Sequence, residues 1–319
     1  MVNYIDRLYT GITDKHIVLV KLKFYSIQRL LIRLGSNIII PLYYRFHKRK
    51  HFLSVNNSSS PKYIVSLTSF PVRIGRVWIV IESILRQTHK PDKIILWLSG
   101  EQFDSYEKLP KSLLKQQKRG LEIRLVKGDI KSHKKYLYAI KKFPNDFLIT
   151  VDDDIIYPTT LLSQLIDLNK KYPKSICCHR ASAITYLNNQ VDIETYHLWK
   201  EIKSFKSPSF NTFFTTGGGT LFPPNSLHNE VFNENIFKKH CFFADDIWLN
   251  IMSRLCLTTV VRSDYHSSLL PVLNYKNINL YERNLIFSEN DKQLRDVRNY
   301  YIKKLNIDAF NLESVNSQG

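Results

Sequence analysis

The sequence predicts an α/β fold, a mostly parallel sheet with helices on both faces, preceded by a basic helical extension. Short β-branched runs alternate with helix-period segments between residues 63 and 171, as a parallel sheet with crossover helices requires. The 319 residues are 44% hydrophobic and 13% aromatic, a globular composition that excludes disorder for most of the chain. Residues 1–51 hold ten Lys or Arg against Asp6 and Asp14, a net of eight of the chain's eighteen positive charges.

In chain order, the first candidate is an amphipathic helix in the stretch Lys21 to Leu34. There Leu22, Tyr25, Leu30, Leu31 and Leu34 recur at helical spacing with cations between them. It suits either a helix lying on an anionic bilayer or one packed on the protein body with a solvated basic face. The Ser- and Asn-rich segment 54–62 reads as a linker. This divides the chain into a basic extension and linker (1–61), a main domain (62–288) and a C-terminal helix and tail (289–319).

Within the main domain, strands are expected at Tyr63–Thr68, Lys93–Leu98, Leu121–Val126 and Phe147–Val151. Helices are expected near 75–87, 107–118, 132–142 and 159–171. Beyond Ser175 the pattern loosens until a helix near Asp245–Leu257, and a basic amphipathic helix spans Asn290–Leu305. Ligands of such sheets bind outside the carboxyl ends of the strands, so the residues after each strand are the ones to inspect.

The charge implies an anionic partner: nucleic acid, an acidic membrane face or a phosphorylated substrate. No recognisable nucleic-acid module is present, so nucleic acid is not the expected partner. Cys177, Cys178, Cys241 and Cys256 form no CxxC pair and no disulfide framework, which suits a reducing compartment. Lysines interrupt the only early apolar run before a signal peptide can form, and the stretch Leu34 to Tyr44 is far shorter than a span. The expected location is cytoplasmic, peripheral on the inner face of the membrane.

The strongest local signal is Phe147-Leu-Ile-Thr-Val-Asp-Asp-Asp-Ile-Ile-Tyr-Pro158, an apolar strand running into three carboxylates. Continued extension would send Asp152 and Asp154 to one side and Asp153 to the other. Like charges so close call for a counter-cation, and hard oxygen ligands favour Mg²⁺ or Mn²⁺. The other reading is a polar turn that caps the next helix. Lys127-Gly-Asp-Ile-Lys-Ser-His-Lys-Lys135 opens a helix after the third strand, where backbone N–H groups and cations can receive an anion. Lys131 and Lys134 are candidates to receive that anion, against a plainly solvated basic helix start. Asp245 and Asp246 begin a helix and serve either as N-caps or as acidic site residues. Arg73 lies just beyond the first strand, in the turn set by Pro71. Tyr196, Trp199, Phe213, Phe214 and Trp248 either face a ligand or fill the core.

The Val-Asp-Asp-Asp at a strand end resembles the DxD motif of GT-A glycosyltransferases, which bind a divalent metal and a nucleoside diphosphate sugar. Ser66-Leu-Thr-Ser-Phe-Pro-Val-Arg73, Gln87-Thr-His-Lys-Pro-Asp-Lys-Ile-Ile-Leu-Trp97 and Ala244-Asp-Asp-Ile-Trp-Leu249 fall in matching order. The resemblance covers residues 62–270. It is to bacterial family 2-like transferases of capsule or lipopolysaccharide synthesis, and the Asp-Asp-Ile element is also similar to the exostosin-type C-terminal domain. It implies a GT-A, Rossmann-like sheet and a hexosyltransferase moving a sugar, UDP-linked, to a growing surface polysaccharide or lipid-linked glycan.

The same resemblance implies that Asp154, Asp152 and His266 hold the metal, Mn²⁺ or Mg²⁺. Thr68, Arg73, Asp129, Lys131, Lys134, Asp152, Asp153, Gly218 and Gly219 would bind the donor, with Lys131 and Lys134 on its diphosphate, Asp129 near its nucleoside and Arg73 on its base or phosphate unless it is a surface arginine. Any of the five aromatics outside the core would stack on sugar faces. Asp246, with Asp245, would lie under the acceptor hydroxyl, as general base if the reaction inverts the anomeric centre and as an orienting group if it retains it. The competing functions are a nucleotidyltransferase, which should carry a glycine-rich basic signature after the first strand that Ser66–Arg73 lacks, and a non-catalytic carbohydrate- or membrane-binding protein.

Overall fold

The computed structural model describes residues 1–12, 23–47, 53, 61–187, 192–265, 267–273 and 284–311, with side chains in the last range from residue 289. Four parallel strands form one half of the main sheet: β1 (Tyr63–Thr68), β2 (Lys93–Ser99), β3 (Leu121–Val126) and β4 (Phe147–Thr150). The central pair is buried nearly throughout, because helices cover both faces. The expected strands and helices of this half are all present within a few residues.

The full sheet has eight strands in the order β3-β2-β1-β4-β11-β6-β12-β9. Its second half comprises β6 (Ile176–Cys178), β9 (Lys206–Ser209), β11 (Thr220–Phe222) and β12 (Val260–Arg262). Here β11 runs antiparallel to both β4 and β6. Chain order runs outward from β1 through β2 to β3, then returns to place β4 on the other side of β1. The carboxyl ends of β1 and β4 therefore flank the switch point, where a crevice opens. A small sheet, β10-β7-β8, is built from β7 (Ala181–Ala183), β8 (Lys200–Ile202) and β10 (Thr212–Phe214), and β5 (Ile155–Ile156) pairs with β13 (Leu270–Pro271).

The amino-terminal region holds two helices, α1 (Val2–Thr10) and α2 (Phe24–Phe46). The amphipathic pattern expected over residues 21–34 thus continues through the apolar stretch that follows, with Pro41 accommodated inside the helix. Helix α3 (Val77–Leu85) explains why α2 docks: Val-Trp-Ile-Val-Ile-Glu-Ser-Ile-Leu is apolar almost all round and needs cover on more than the sheet side. Ile40 and Tyr44 of α2, with Val2 of α1, join the same hydrophobic core as Val77, Val80 and Ile84. Burying Ile40 contributes roughly 1.5–3 kcal/mol. Arg86 stacks on Tyr43 and Tyr44, with its guanidinium 4.6 Å from the Tyr44 ring.

Helices α4 (Lys111–Gln117), α5 (Lys134–Lys142) and α6 (Leu161–Lys171) complete the first half. The second core gathers around α7 (Glu234–His240), α8 (Asp245–Leu255) and α9 (Asn284–Leu305). Trp248 of α8 and Tyr301 of α9 are both fully buried there. Among the described residues no helix is long and apolar enough to cross a membrane.

Candidate active site

A cleft of about 810 Å³ lies at the switch point, and its walls come from the ends of β1 and β4, the start of α5, the loop before β11 and the start of α8. Strand β4 ends at Thr150, so the three aspartates do not continue its alternation. Asp153 and Asp154 stand in a turn leading to β5, and both reach Arg73. Arg73 Nη1 lies 2.8 Å from Asp153 Oδ1 and 2.9 Å from Asp154 Oδ2. Ser69 Oγ donates to Asp153 Oδ2 at 2.5 Å, so Asp153 is buried with its partners inside the protein. Burial works against the Arg73 cation, but Asp153 and Asp154 outweigh it and hold the guanidinium above its ordinary range. Burial, with Asp152 and Asp153 close by, raises the Asp154 carboxyl to about 6 despite Arg73.

Asp152 turns the other way. Lys135 Nζ donates to Asp152 Oδ1 at 2.7 Å and also lies 3.0 Å from Asp245 Oδ2. Lys135 is buried, which disfavours its charge, yet Asp152, Asp245 and Asp246 together hold it firmly protonated. Its backbone is fixed to β1, because Ser66 Oγ donates to the Lys135 carbonyl. The wall beside Asp152 is Gly217: a Cβ built there would sit 1.9 Å from Asp152 Oδ2. Asp152 N donates to Tyr157 Oη at 2.8 Å, and that hydroxyl donates to the Gly217 carbonyl at 2.6 Å, joining the acidic turn to the glycine loop.

Asp245 and Asp246 are the first residues of α8. The N-cap is Ala244, so the N-cap reading of the pair does not hold, although their charge still complements the helix dipole. Thr216 donates to Asp246 Oδ1 through its backbone N–H at 2.8 Å, and its Oγ1 lies 2.5 Å from the same oxygen. Burial and the neighbouring Asp245 raise Asp246 to about 6, whereas Lys135 overcomes burial to hold Asp245 below the usual carboxylate range.

The lysines at the start of α5 pair with an acid of the same cleft. Lys131 Nζ lies 2.6 Å from Asp129 Oδ2, and Lys134 Nζ pairs with Asp129 Oδ1. Gln102 Nε2 also donates to Asp129, at 2.8 Å. Burial opposes the charge, but these cations bring the Asp129 carboxyl down to about 2. All three residues line the cleft, where Asp129 neutralises part of the basic rim assigned to a diphosphate.

Thr68, Arg73, Asp129, Lys131, Lys134, Asp152, Asp153, Asp245 and Asp246 are brought together on one cleft. Asp154 lines an adjoining cavity with Asp152, Arg180 and Glu201. Gly218 and Gly219 are set back from the cleft, their Cβ positions facing Arg180 and Leu161, and Gly217 takes the lining position. His266 lies outside the described residues. His133 is fully buried between Tyr136 Oη and the Cys241 carbonyl and stacks on Phe237, which makes it structural. Of the aromatics, Tyr196 lines the cleft, while Trp199, Phe213, Phe214 and Trp248 belong to the core.

Sequence reasoning missed Lys135, Ser69 and Thr216. Lys135 was the most accessible of them, since it closes the same basic run as Lys131 and Lys134. One step along a helix is about 100°, and it turns Lys135 toward β4 while Lys134 faces Asp129.

Among the described residues no group of three or more His, Cys, Asp or Glu converges to hold a metal by itself. Mg²⁺-type ions are commonly held by only one or two carboxylates, with water and substrate phosphates completing the shell. The side chains of Asp152 and Asp154 are 38% and 35% exposed where the cleft meets the adjoining cavity, and they fit that smaller donor set.

Residues 73–230 match the model of the family described as glycosyl transferase family 2. The segment runs from Arg73 through the aspartate turn and the glycine loop, and stops short of Asp245. No curated protein sequence matches the chain. Among solved structures it is similar to the mannosyltransferase PcManGT from Pyrobaculum calidifontis in complex with GDP-Man and Mn²⁺, at 10% identity and a TM-score of 0.46, covering 86% of this chain and 74% of that one. It is also similar to 4-diphosphocytidyl-2C-methyl-D-erythritol synthase, at 13% identity and a TM-score of 0.43, covering 72% of this chain and 100% of that one. The cleft draws on that matched segment together with the end of β1 and the start of α8 outside it, on a mostly parallel, GT-A type sheet, and the chain is a glycosyltransferase whose residues 73–230 are similar to family 2.

Proposed function

We propose that this chain moves a hexosyl unit from a UDP-linked sugar to a hydroxyl of a growing cell-surface polysaccharide or lipid-linked glycan. The catalytic unit in this reading spans residues 62–288, flanked by the extension 1–61 and the tail 289–319. The observation that carries it is the meeting of two acidic pairs, Asp152 with Asp153 and Asp245 with Asp246, in one cleft that Lys131 and Lys134 also line, with Asp154 in the cavity adjoining it.

Asp152 and Asp154 would hold a divalent ion, Mn²⁺ or Mg²⁺, which when bound supplies positive charge to the diphosphate. Arg73 and Lys131 add fixed cations around the same group, and Thr68 and Asp129 lie where the nucleoside enters. Gly217 lets backbone approach the sugar closely. Asp246, held by Thr216 and raised to about 6, is ionised at neutral pH and able to accept a proton from the acceptor hydroxyl. That role belongs to an inverting reaction; under retention Asp246 orients the acceptor.

A panel of nucleotide sugars with Mn²⁺ or Mg²⁺, read by thermal shift and slow donor hydrolysis, tests the reading. One donor should raise Tm only when metal is present, and Asp154→Ala should abolish the shift. Equal stabilisation in a chelator would remove the metal from the proposal.

A further inference from the structure

Among the described residues, twelve of the nineteen exposed large hydrophobic side chains lie in the first 46 residues. They are not scattered. Phe24, Ile27, Leu31, Leu34, Ile38 and Leu42 recur at three- and four-residue steps along α2, forming one apolar stripe about 27 Å long. On α1, Tyr4 and Leu8 stand exposed at i, i+4. The opposite side of α2 is already used: Ser36, Asn37, Ile40 and Tyr44 are buried against the domain. The two readings of this helix are therefore compatible, since one face docks on the protein. The free face, however, is apolar rather than basic.

The chemistry of the surroundings selects the occupant. Helix α2 contains no acidic residue. Lys23 and Arg45 stand exposed at its two ends, Arg7 is exposed beside Leu8, and Asp6 is buried. An apolar stripe flanked by cations and free of acids complements a bilayer with anionic headgroups, which takes the hydrocarbon side chains at the acyl boundary and pairs the cations with phosphates.

The docked face is wired to the cleft. Asn37 Nδ2 donates to the Pro271 carbonyl at 2.8 Å, and Leu273 N donates to Asn37 Oδ1 at 2.8 Å. On α1, Ser267 Oγ donates to Asp6 Oδ1 at 2.6 Å, and Ser268 N donates to Thr10 Oγ1 at 2.9 Å. Ser267, Ser268, Leu269 and Pro271 line the cavity that contains Asp154, and β13 pairs with β5 immediately after the aspartate turn.

We propose that α1 and α2 form a docking face for an anionic lipid bilayer, and that this face holds the 267–273 wall of the cleft beside the membrane. Docking is independent of chemistry; only its purpose, presenting the cleft to a membrane-held acceptor, rests on the sugar-transfer reading above.

The test is co-sedimentation of the full chain with vesicles of phosphatidylcholine alone and of equal phosphatidylcholine and phosphatidylglycerol. The chain should bind the anionic vesicles at least tenfold more tightly than the neutral ones, and the double variant Leu31→Glu/Ile38→Glu should lose at least tenfold of that binding. Ile27→Asn/Leu42→Asn, which adds no charge, should weaken it in the same direction. Melting temperature and metal-dependent donor shift should be unchanged in both variants, so failure of vesicle binding is separable from failure of the transfer reading. Absence of binding, or equal binding by folded variants, overturns the proposal. So does a concentration-dependent dimer that either variant converts to monomer, because a second copy would then be the occupant.

Discussion

Asp152 and Asp245, which enter the cleft from β4 and from α8, share a single cation: Lys135 Nζ lies 2.7 Å from one carboxylate and 3.0 Å from the other. The ammonium is the physical link between the donor-side and acceptor-side acids. Breaking a buried pair by removing one partner leaves an uncompensated charge, at a cost of about 3–5 kcal/mol.

Lys135→Ala should therefore lower stability by an amount in that range, read by urea denaturation. Adding Asp245→Asn should restore part of the loss, because one of the orphaned charges is gone. Strict additivity of the two changes would show that the ion pair contributes nothing of its own.

Asp246→Asn should leave the donor-induced thermal shift intact and reduce transfer by ~10² or more if the carboxylate is the base. In the unaltered protein, kcat/KM should rise with pH through about 6 as Asp246 loses its proton, and the variant should lack that limb. Transfer at near-normal rates by the variant would restrict Asp246 to holding the Thr216 loop.

At Gly217 the next atom beyond the absent Cβ is an Asp152 oxygen. Gly217→Ala should displace the Asp152 carboxylate and lower transfer by about 10²-fold, while the chain remains folded. Gly218→Ala presses on Arg180 instead, and should change metal-dependent donor binding far less. Equal effects from the two substitutions would contradict the separate placement of these glycines.

Burial holds His133 and His179 neutral, bringing each down to about 4. The unfolded chain takes up these protons near pH 6.5 while the folded chain resists until about 4. The histidine contribution to stability must then fall as pH drops across that window, by up to ~1.4 kcal/mol per pH unit for each histidine. Asp154 and Asp246, raised to about 6, act with the opposite sign, so the test is the difference between the unaltered protein and a folded His133→Asn variant measured from pH 7 to 4.5. The variant should lose less stability, or gain more, as pH falls, and identical pH profiles for the two would mean that the His133 imidazole is hydrated.

Local signals determined a good deal of this protein. The alternation of β-branched runs with helix-period segments set the parallel half of the sheet, since periodicity and burial on two faces are properties of neighbouring residues. Asp152–Asp154 stood out because an apolar strand ran straight into them, and Asp245-Asp246 because a helix began there. What the sequence could not decide was partnership. That Arg73 would bind two of the three aspartates and Lys135 the third, that Lys131 and Lys134 would turn to Asp129, and that Gly217 would press on Asp152 depend on strands and loops meeting at the switch point. The same holds at the amino terminus, where periodicity showed an amphipathic helix but not which side was already covered. Side-chain charge and local period are written along the chain; distances between residues remote in sequence exist only after the sheet has ordered its strands.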